Sequence, residues 1–420
     1  MNLQESCRWI ESRQDDLVDR LCQLSAINSG TANLPGLGVV AEEFQALYSP
    51  LAENVELLDS AVAERVDLNG ELVQERFGKM LTCNKRPDAP IQVLLVGHMD
   101  TVFPVEHAFQ QPRMLDANML TGPGVADMKG GLLVMHTALT AFEQCQDDDR
   151  LGWRVLLNAD EETGSHGSAS ELQLAATQAH AGLIFEPALP DGSFSRARKG
   201  SGNFTLVAKG RAAHAGREFE TGVNAILAMT EAAQRLGALT DLARGITVNI
   251  ARVSGGTAFN VVPDQAVCQF NVRCISREQQ QQLAEQLAAL VAELNQAPGI
   301  QMLLSGGFSR PPKRISPANQ LLMDWTSSCG ASLGLTVRFN DTGGCCDGNN
   351  LAAAGLPNID TLGVVGGEIH TDQEFMRSDS LTERARLSLL LLDRLSREGE
   401  SLIELNAAAR DAAGSSHDHT

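Results

Sequence analysis

The chain has 420 residues, 43% of them hydrophobic, and a formal net charge of −19. A chain of this length exceeds one small core, so two domains are the natural expectation. The acidic balance excludes a nucleic-acid or anionic-membrane surface, which needs a basic stripe. No apolar run approaches the ~20 residues that span a bilayer. The charged, amphipathic opening residues 1–11 do not read as a secretory leader. The nine cysteines are scattered, odd in number and free of any CxxC pair. That suits free thiols in a reducing compartment, and a cytoplasmic location is expected. Cys345 and Cys346 are adjacent, and neighbouring thiols rarely serve one tetrahedral ion, so they are not assigned to a metal.

In chain order, Trp9, Ile10, Leu17, Val18, Leu21, Cys22 and Leu24 recur near helical spacing and predict one amphipathic helix over 3–26. A second helix is expected over 38–48, then strands over 55–58 and 79–83. Residues 93–96 form a continuous apolar run, as in a central parallel strand covered on both faces. The run stops at Gly97-His98-Met99-Asp100. Alternate residues of a strand point the same way, so His98 and Asp100 could share a pocket beyond its end. A His braced by a carboxylate is a metal-ligand arrangement; the alternative is a polar strand end closed by a turn.

A loop carrying Pro104, Pro112 and Pro123 follows, ending in Gly-Pro-Gly-Val-Ala-Asp127-Met-Lys-Gly-Gly. Next come a helix over 128–144, a strand over 153–158 ending in Ala-Asp-Glu161-Glu162-Thr-Gly, a helix over 168–178, and a strand over 182–185 ending in Glu186-Pro187. Strands alternating with helices, each strand ending in a polar cluster, predict an α/β sheet with ligands beyond the strands' carboxyl ends.

The pattern changes near residue 200. A strand over 203–209, a helix over 222–239, strands over 246–253 and 266–274, a helix over 277–295 and a strand over 301–304 give the order β-α-β-β-α-β. That order is ferredoxin-like α+β. Pro311-Pro312 marks a return linker. Beyond it the doubly wound pattern resumes, with a helix over 319–333, a strand over 336–339, a helix after Asp347, a strand over 358–362 and a final helix over 380–397. The expected fold is a catalytic domain with a mostly parallel doubly wound sheet, made from residues 1–197 and 310–405. Residues 198–309 form an inserted ferredoxin-like domain, and 406–420 a disordered tail.

The polar residues at strand ends are His98, Asp100, Asp127, Glu161, Glu162 and Glu186; His370 follows in Gly-Glu-Ile-His370-Thr-Asp. Histidines with carboxylates suit zinc or a similar divalent ion. Five such groups suffice for two ions if one carboxylate bridges, and Asp127, in its glycine-rich turn, is the best bridging candidate. In the pair Glu161-Glu162, one carboxylate can bind metal while the other stays free as a base beside metal-activated water. The alternative is a solvated acidic pair.

The runs Gly-His98-Met-Asp100-Thr-Val, Gly-Pro-Gly-Val-Ala-Asp127-Met-Lys-Gly-Gly, Asp-Glu161-Glu162-Thr-Gly-Ser and Gly-Arg-Ala-Ala-His214-Ala-Gly resemble the dinuclear-zinc exopeptidase and deacylase family. Its members include glutamate carboxypeptidase, acetylornithine deacetylase, succinyl-diaminopimelate desuccinylase and aminoacylase. The resemblance covers residues 90–400, and Glu186 in Phe-Glu-Pro is most similar to the glutamate carboxypeptidase branch. It implies two Zn2+ per subunit, with Co2+ or Mn2+ as substitutes. His98, Asp127 and Glu186 would hold one ion; Asp127, Glu162 and His370 would hold the other. Asp100 would orient His98, Glu161 would be the general base that forms a metal-bridging hydroxide, and the peptide bond after Asp127 is often cis in the family.

The resemblance also implies that His214 stabilises an oxyanion from the partner subunit of a homodimer. Arg273 would bind the substrate carboxylate through its planar fork, with Asn260 near the same end. Gly343 and Gly344, in Thr342-Gly-Gly-Cys-Cys-Asp347, would back the amino-acid product, although two cysteines replace the usual small residues there. Arg198 and Lys199 stay open between substrate-facing charges and surface residues. The implied activity is hydrolysis of the amide bond next to a free amino-acid carboxylate, in an N-acyl amino acid or short peptide. A two-metal aminopeptidase or dipeptidase, and a non-catalytic binding protein keeping the fold, are the alternatives.

Overall fold

Strand Ile91–His98 runs through the middle of a six-stranded sheet ordered Asn54–Leu58, Met80–Lys85, Leu151–Asn158, Ile91–His98, Ala181–Ile184, Asn358–Ile359. The last four strands are mutually parallel, and the first two run as antiparallel neighbours at one edge. This computed structural model describes residues 1–146 and 149–415, without the side chains of 410–415. The apolar run of the central strand divides between two cores. Val93 and Leu95 pack on the side of helix Lys129–Cys145, whereas Leu94 and Val96 pack with Leu172, Ala175 and Leu351 on the other. Burial on both faces explains why the run carries no polar alternation.

Trp153 is fully buried in the larger core, and its indole N–H donates to Glu143 at 2.8 Å. Trp153→Ala is expected to cost about 3–5 kcal/mol, read as a lower urea midpoint.

Residues 200–310 build a separate four-stranded antiparallel sheet in the order Thr247–Gly255, Gln265–Cys274, Gly200–Lys209, Gln301–Arg310. Helices Ala225–Gly237 and Arg277–Leu294 cover one of its faces, burying Phe204, Leu206, Cys268, Phe270 and Val272 against Met229, Leu236, Leu283 and Leu287. With the sequence order β-α-β-β-α-β, this is the ferredoxin-like arrangement. The chain is therefore mixed α/β, with a largely parallel central sheet and a second α+β unit.

Several elements differ from the sequence reading. The first helix is two, Leu3–Glu11 and Gln14–Ser25, broken at Ser12 and Arg13. The break places Gln14 against the last helix, where its amide donates to Ser378 O and its oxygen accepts from Thr382. Apolar periodicity continues across such a short interruption and does not reveal it. The final helix spans Ser380–Ser415 and passes through residues expected to be a disordered tail. Alanines at 407–409, 412 and 413 carry high helix propensity there, and the Asn406 amide donates to Gly355 O. The part of that tail beyond Ser415 lies outside the described residues.

Three short features are absent from the sequence reading: a hairpin, Ala63–Val66 with Leu72–Glu75; a parallel pair, Phe194–Arg198 with Phe339–Thr342, which lies outside the six-stranded sheet and replaces the strand expected over 336–339; and a small sheet joining Arg113–Met114, Met119–Thr121, Phe375–Arg377 and Gly366–Gly367. The small sheet brings residues near 374 beside the 122–127 loop.

Candidate active site

His98 ends the central strand and is 1% exposed. Its Nδ1 lies 3.0 Å from the Asp100 carbonyl and 3.3 Å from Asp100 Oδ1; its Nε2 lies 3.1 Å from Asp127 Oδ1 and 3.8 Å from Glu186 Oε1. Asp100 is fully buried and also accepts the backbone N–H groups of Glu161 and Glu162, each at 3.2 Å, and the Thr31 hydroxyl at 2.8 Å. One carboxylate thus fixes both the imidazole and the start of the Glu161-Glu162 turn, a wider reach than the sequence suggests.

Asp127 presents its oxygens to two imidazoles. Oδ1 faces His98, and Oδ2 lies 3.3 Å from His370 Nε2, which is itself 3.2 Å from Glu162 Oε2. The loop that aims Asp127 is held by the buried Glu374 carboxylate, which accepts the N–H groups of Gly124, Ala126 and Asp127 at 3.2, 2.9 and 3.1 Å. The peptide bond after Asp127 is cis. His370 itself is 52% exposed and adopts φ +65°, the left-handed region uncommon for non-glycine residues. His98, Asp127 and Glu162 offer ligand atoms within 4.8 Å of one another, and so do His98, Glu161 and Glu186. The second group admits Glu161 where the sequence pattern has Asp127.

The electrostatics are those of a cation site. Burial, then repulsion from Asp127, pushes Glu162 up to about 8. Burial, then Glu161, holds Glu186 well above the usual carboxylate range. Burial opposes ionisation of Asp127 too, but hydrogen bonds from His370 and His98 outweigh it and keep that carboxyl low. Hydrogen bonding to Asp127 and Glu162 raises His370 to about 11. A cluster that holds protons so firmly on imidazole presents a strong negative field, which a divalent ion satisfies with more charge. Glu162 Oε1 is buried without a hydrogen-bond partner. That orphaned oxygen, and an all-nitrogen-and-oxygen donor set, fit zinc, cobalt or manganese.

Beside the cluster opens a cleft of about 590 Å³, lined among others by Glu161, Glu162, His370, Arg273, Arg310 and Cys345. Arg273 donates from Nη1 to Gly343 O at 2.5 Å and from Nε to Asn271 at 3.1 Å. The structure thus brings Arg273 to the glycine-rich loop. Gly344 N–H donates to Thr342 Oγ1, and Cys345, rather than either glycine, lines the cleft.

Arg310 is a site residue that sequence reasoning misses. Its Nη1 lies 2.6 Å from Glu161 Oε1, and its Nη2 donates to Glu161 O and Ser165 Oγ and lies 3.7 Å from Asp347. In sequence it is one arginine before Pro311-Pro312, without a motif of its own. Glu374, four residues after His370, is missed likewise. Arg198 pairs through Nε and Nη2 with the buried Asp360, and Lys199 Nζ donates to Gly245 O. Neither of these two residues lines the cleft.

His214 and Asn260 sit together elsewhere, both exposed on the second unit. Residue 214 bridges Val261, and the Asn260 carbonyl accepts the Ala215 N–H at 2.9 Å. Among the described residues neither side chain joins the acidic cluster or lines the cleft, so Asn260 does not stand beside Arg273 within one chain.

A sequence profile described as a peptidase dimerisation domain matches residues 196–298. Carboxypeptidase G2 of a Pseudomonas species is 27% identical over 385 residues, 90% of this chain and 89% of that protein. Succinyl-diaminopimelate desuccinylase of Nitrosococcus oceani is 27% identical over 328 residues, 74% of this chain and 85% of that protein. Among solved structures, an M20 family metallo-carboxypeptidase from Sulfolobus solfataricus matches 91% of this chain and 99% of its own, with TM-score 0.69 and 14% identity. An aminopeptidase from Bacillus cereus matches the same shares with TM-score 0.67 and 20% identity.

Proposed function

We propose that the chain belongs with the M20 metallopeptidases and related amidohydrolases to which it is similar, and that it hydrolyses the amide bond next to a free amino-acid carboxylate. The substrate is a small molecule, an N-acyl amino acid or short peptide. The observation that carries the reading is Asp127 set between His98 and His370, with Glu161 held beside them by Arg310. His98, Asp127 and Glu186 would hold one zinc; Asp127, Glu162 and His370 would hold the other. When bound, these ions supply Lewis acidity and acidify a water molecule. Glu161 takes a proton from the attacking water and returns it to the leaving amine. Arg273 and the Gly343-Gly344 loop receive the substrate's carboxylate end.

The architectural division is part of the same reading: residues 1–197 and 310–405 form the zinc domain and 198–309 the inserted dimerisation domain. His214 and Asn260 serve the partner's site in a homodimer, with His214 donating to the oxyanion. Support for this comes from their exposure, from the free edge strand Thr247–Gly255, and from the exposed Phe219, Leu227, Val253 and Phe259 on that unit. No helix among the described residues is long and apolar enough to cross a membrane. All nine cysteines are free, in keeping with the cytoplasm.

The test is a hydrolysis screen with added Zn2+. N-acyl amino acids should be cleaved and their C-terminal amides should not. Cleavage that requires a free α-amine and ignores the carboxylate would replace this reading with an aminopeptidase. Asp100→Asn should weaken metal affinity or rate by roughly 10–100-fold, read by chelator competition, because the imidazole loses its carboxylate brace.

A further inference from the structure

The open face of the four-stranded sheet forms the floor of the cleft, and its character changes along its length. Cross-strand pairs Ser201–Arg273, Asn203–Asn271 and Thr205–Gln269 line the cleft with polar groups. The next pair on the same face, Val207–Val267, is apolar and buried. What covers it is the hairpin of residues 63–75. A Cβ on Gly70 would come within 3.1 Å of Val207 Cγ1; Ser254 Oγ donates to Leu68 O at 3.0 Å; and the Gln265 amide donates to Asn69 O. The tip is pre-shaped by Asp67, whose Oδ1 accepts the Asn69 and Glu71 N–H groups, and by Gly70 at φ +72°.

Ala63, Arg65 and Glu75 of the same hairpin line the cleft. The hairpin leaves the chain beside the catalytic turn, since Ala61 N–H donates to Gly167 O. It therefore crosses from the zinc-domain side to the second sheet and lands where the polar floor ends. From Arg273 to Gln269 the open floor runs four strand steps, about 13 Å.

We propose that the 63–75 hairpin is a fixed strap that forms the end wall of the substrate cleft. It confines substrates to a short acyl part, and the amide-and-hydroxyl floor makes that part a peptide-like chain rather than a fatty acyl chain. The inference rests on the amidohydrolase reading above. A substrate anchored by its carboxylate at Arg273 extends along Asn271 and Gln269 toward the strap. Extended peptide groups find hydrogen-bond partners there, whereas an alkyl chain would leave those side chains desolvated and unpaired.

The test uses the full-length, zinc-loaded protein and one amino acid carrying acetyl, blocked triglycyl, blocked hexaglycyl or decanoyl groups. Wild type should cleave the triglycyl amide about tenfold faster in kcat/KM than the hexaglycyl or decanoyl amide. Replacing residues 67–70 by an Asn-Gly turn, or combining Ser254→Ala with Gln265→Ala, should raise the hexaglycyl-to-triglycyl ratio about tenfold. An unchanged ratio in both variants overturns the end wall, and decanoyl cleaved as fast as triglycyl overturns the peptide-like preference. If wild type cleaves none of the four, the amidohydrolase reading fails instead. The strap is then judged by hydrogen exchange of residues 60–78. Faster exchange in the double variant supports it, and unchanged exchange overturns it.

Discussion

Glu161→Gln should lower kcat by about 10²–10⁴-fold with both metal ions of the proposed site retained. The substitution keeps size and shape but removes the group that moves the proton on the proposed reading. Three contacts suit Glu161 to proton transfer. Its N–H is fixed by Asp100, Arg310 holds one carboxylate oxygen, and the residue lines the cleft. Turnover of an N-acyl amino acid and metal content by plasma mass spectrometry check the two halves separately. Normal turnover would remove Glu161 from the mechanism. Lost metal would make it a ligand, as its grouping with His98 and Glu186 allows.

Arg310→Ala has the second large effect, and on stability. Arg310 and Glu161 are each 8% exposed, and Asp347 is 2% exposed. Removing the guanidinium leaves two buried carboxylates facing each other without their shared cation. Breaking a buried pair from one side costs about 3–5 kcal/mol, to be read from urea unfolding. Arg310→Lys keeps the charge but not the fork that reaches Glu161 O, Ser165 and Cys345 O together. It should therefore recover part of the stability and less of the activity. A loss below about 1 kcal/mol in the alanine variant would mean the pair is solvated and weak.

The parallel strands are legible in the sequence because burial on both faces writes itself as an unbroken apolar run, as at Val93–Val96. The polar residues that end such runs mark the site for the same reason: backbone geometry leaves the strand ends open to ligands. The hairpin at 63–75 is not legible. Its strands are four residues each, with Glu64, Arg65, Leu72 and Gln74 exposed, so its pattern follows a tertiary landing place rather than a core. Arg310 and Glu374 escape notice because each acts through backbone groups far away in sequence, at Glu161 O and at the 124–127 amides. Local spacing holds no trace of such a partner. The final helix reads too short for the opposite reason: the tail's polar end outweighs the alanines that precede it.

The exposed pair His214 and Asn260 has a consequence in solution. On the proposed reading a lone chain holds the metals and the base but not the group that meets the oxyanion, so it turns over slowly. Specific activity should then fall on dilution, as copies separate. Mixing Glu161→Gln chains with His214→Ala chains should restore activity that neither population has alone, since a hybrid pair contains one intact composite site.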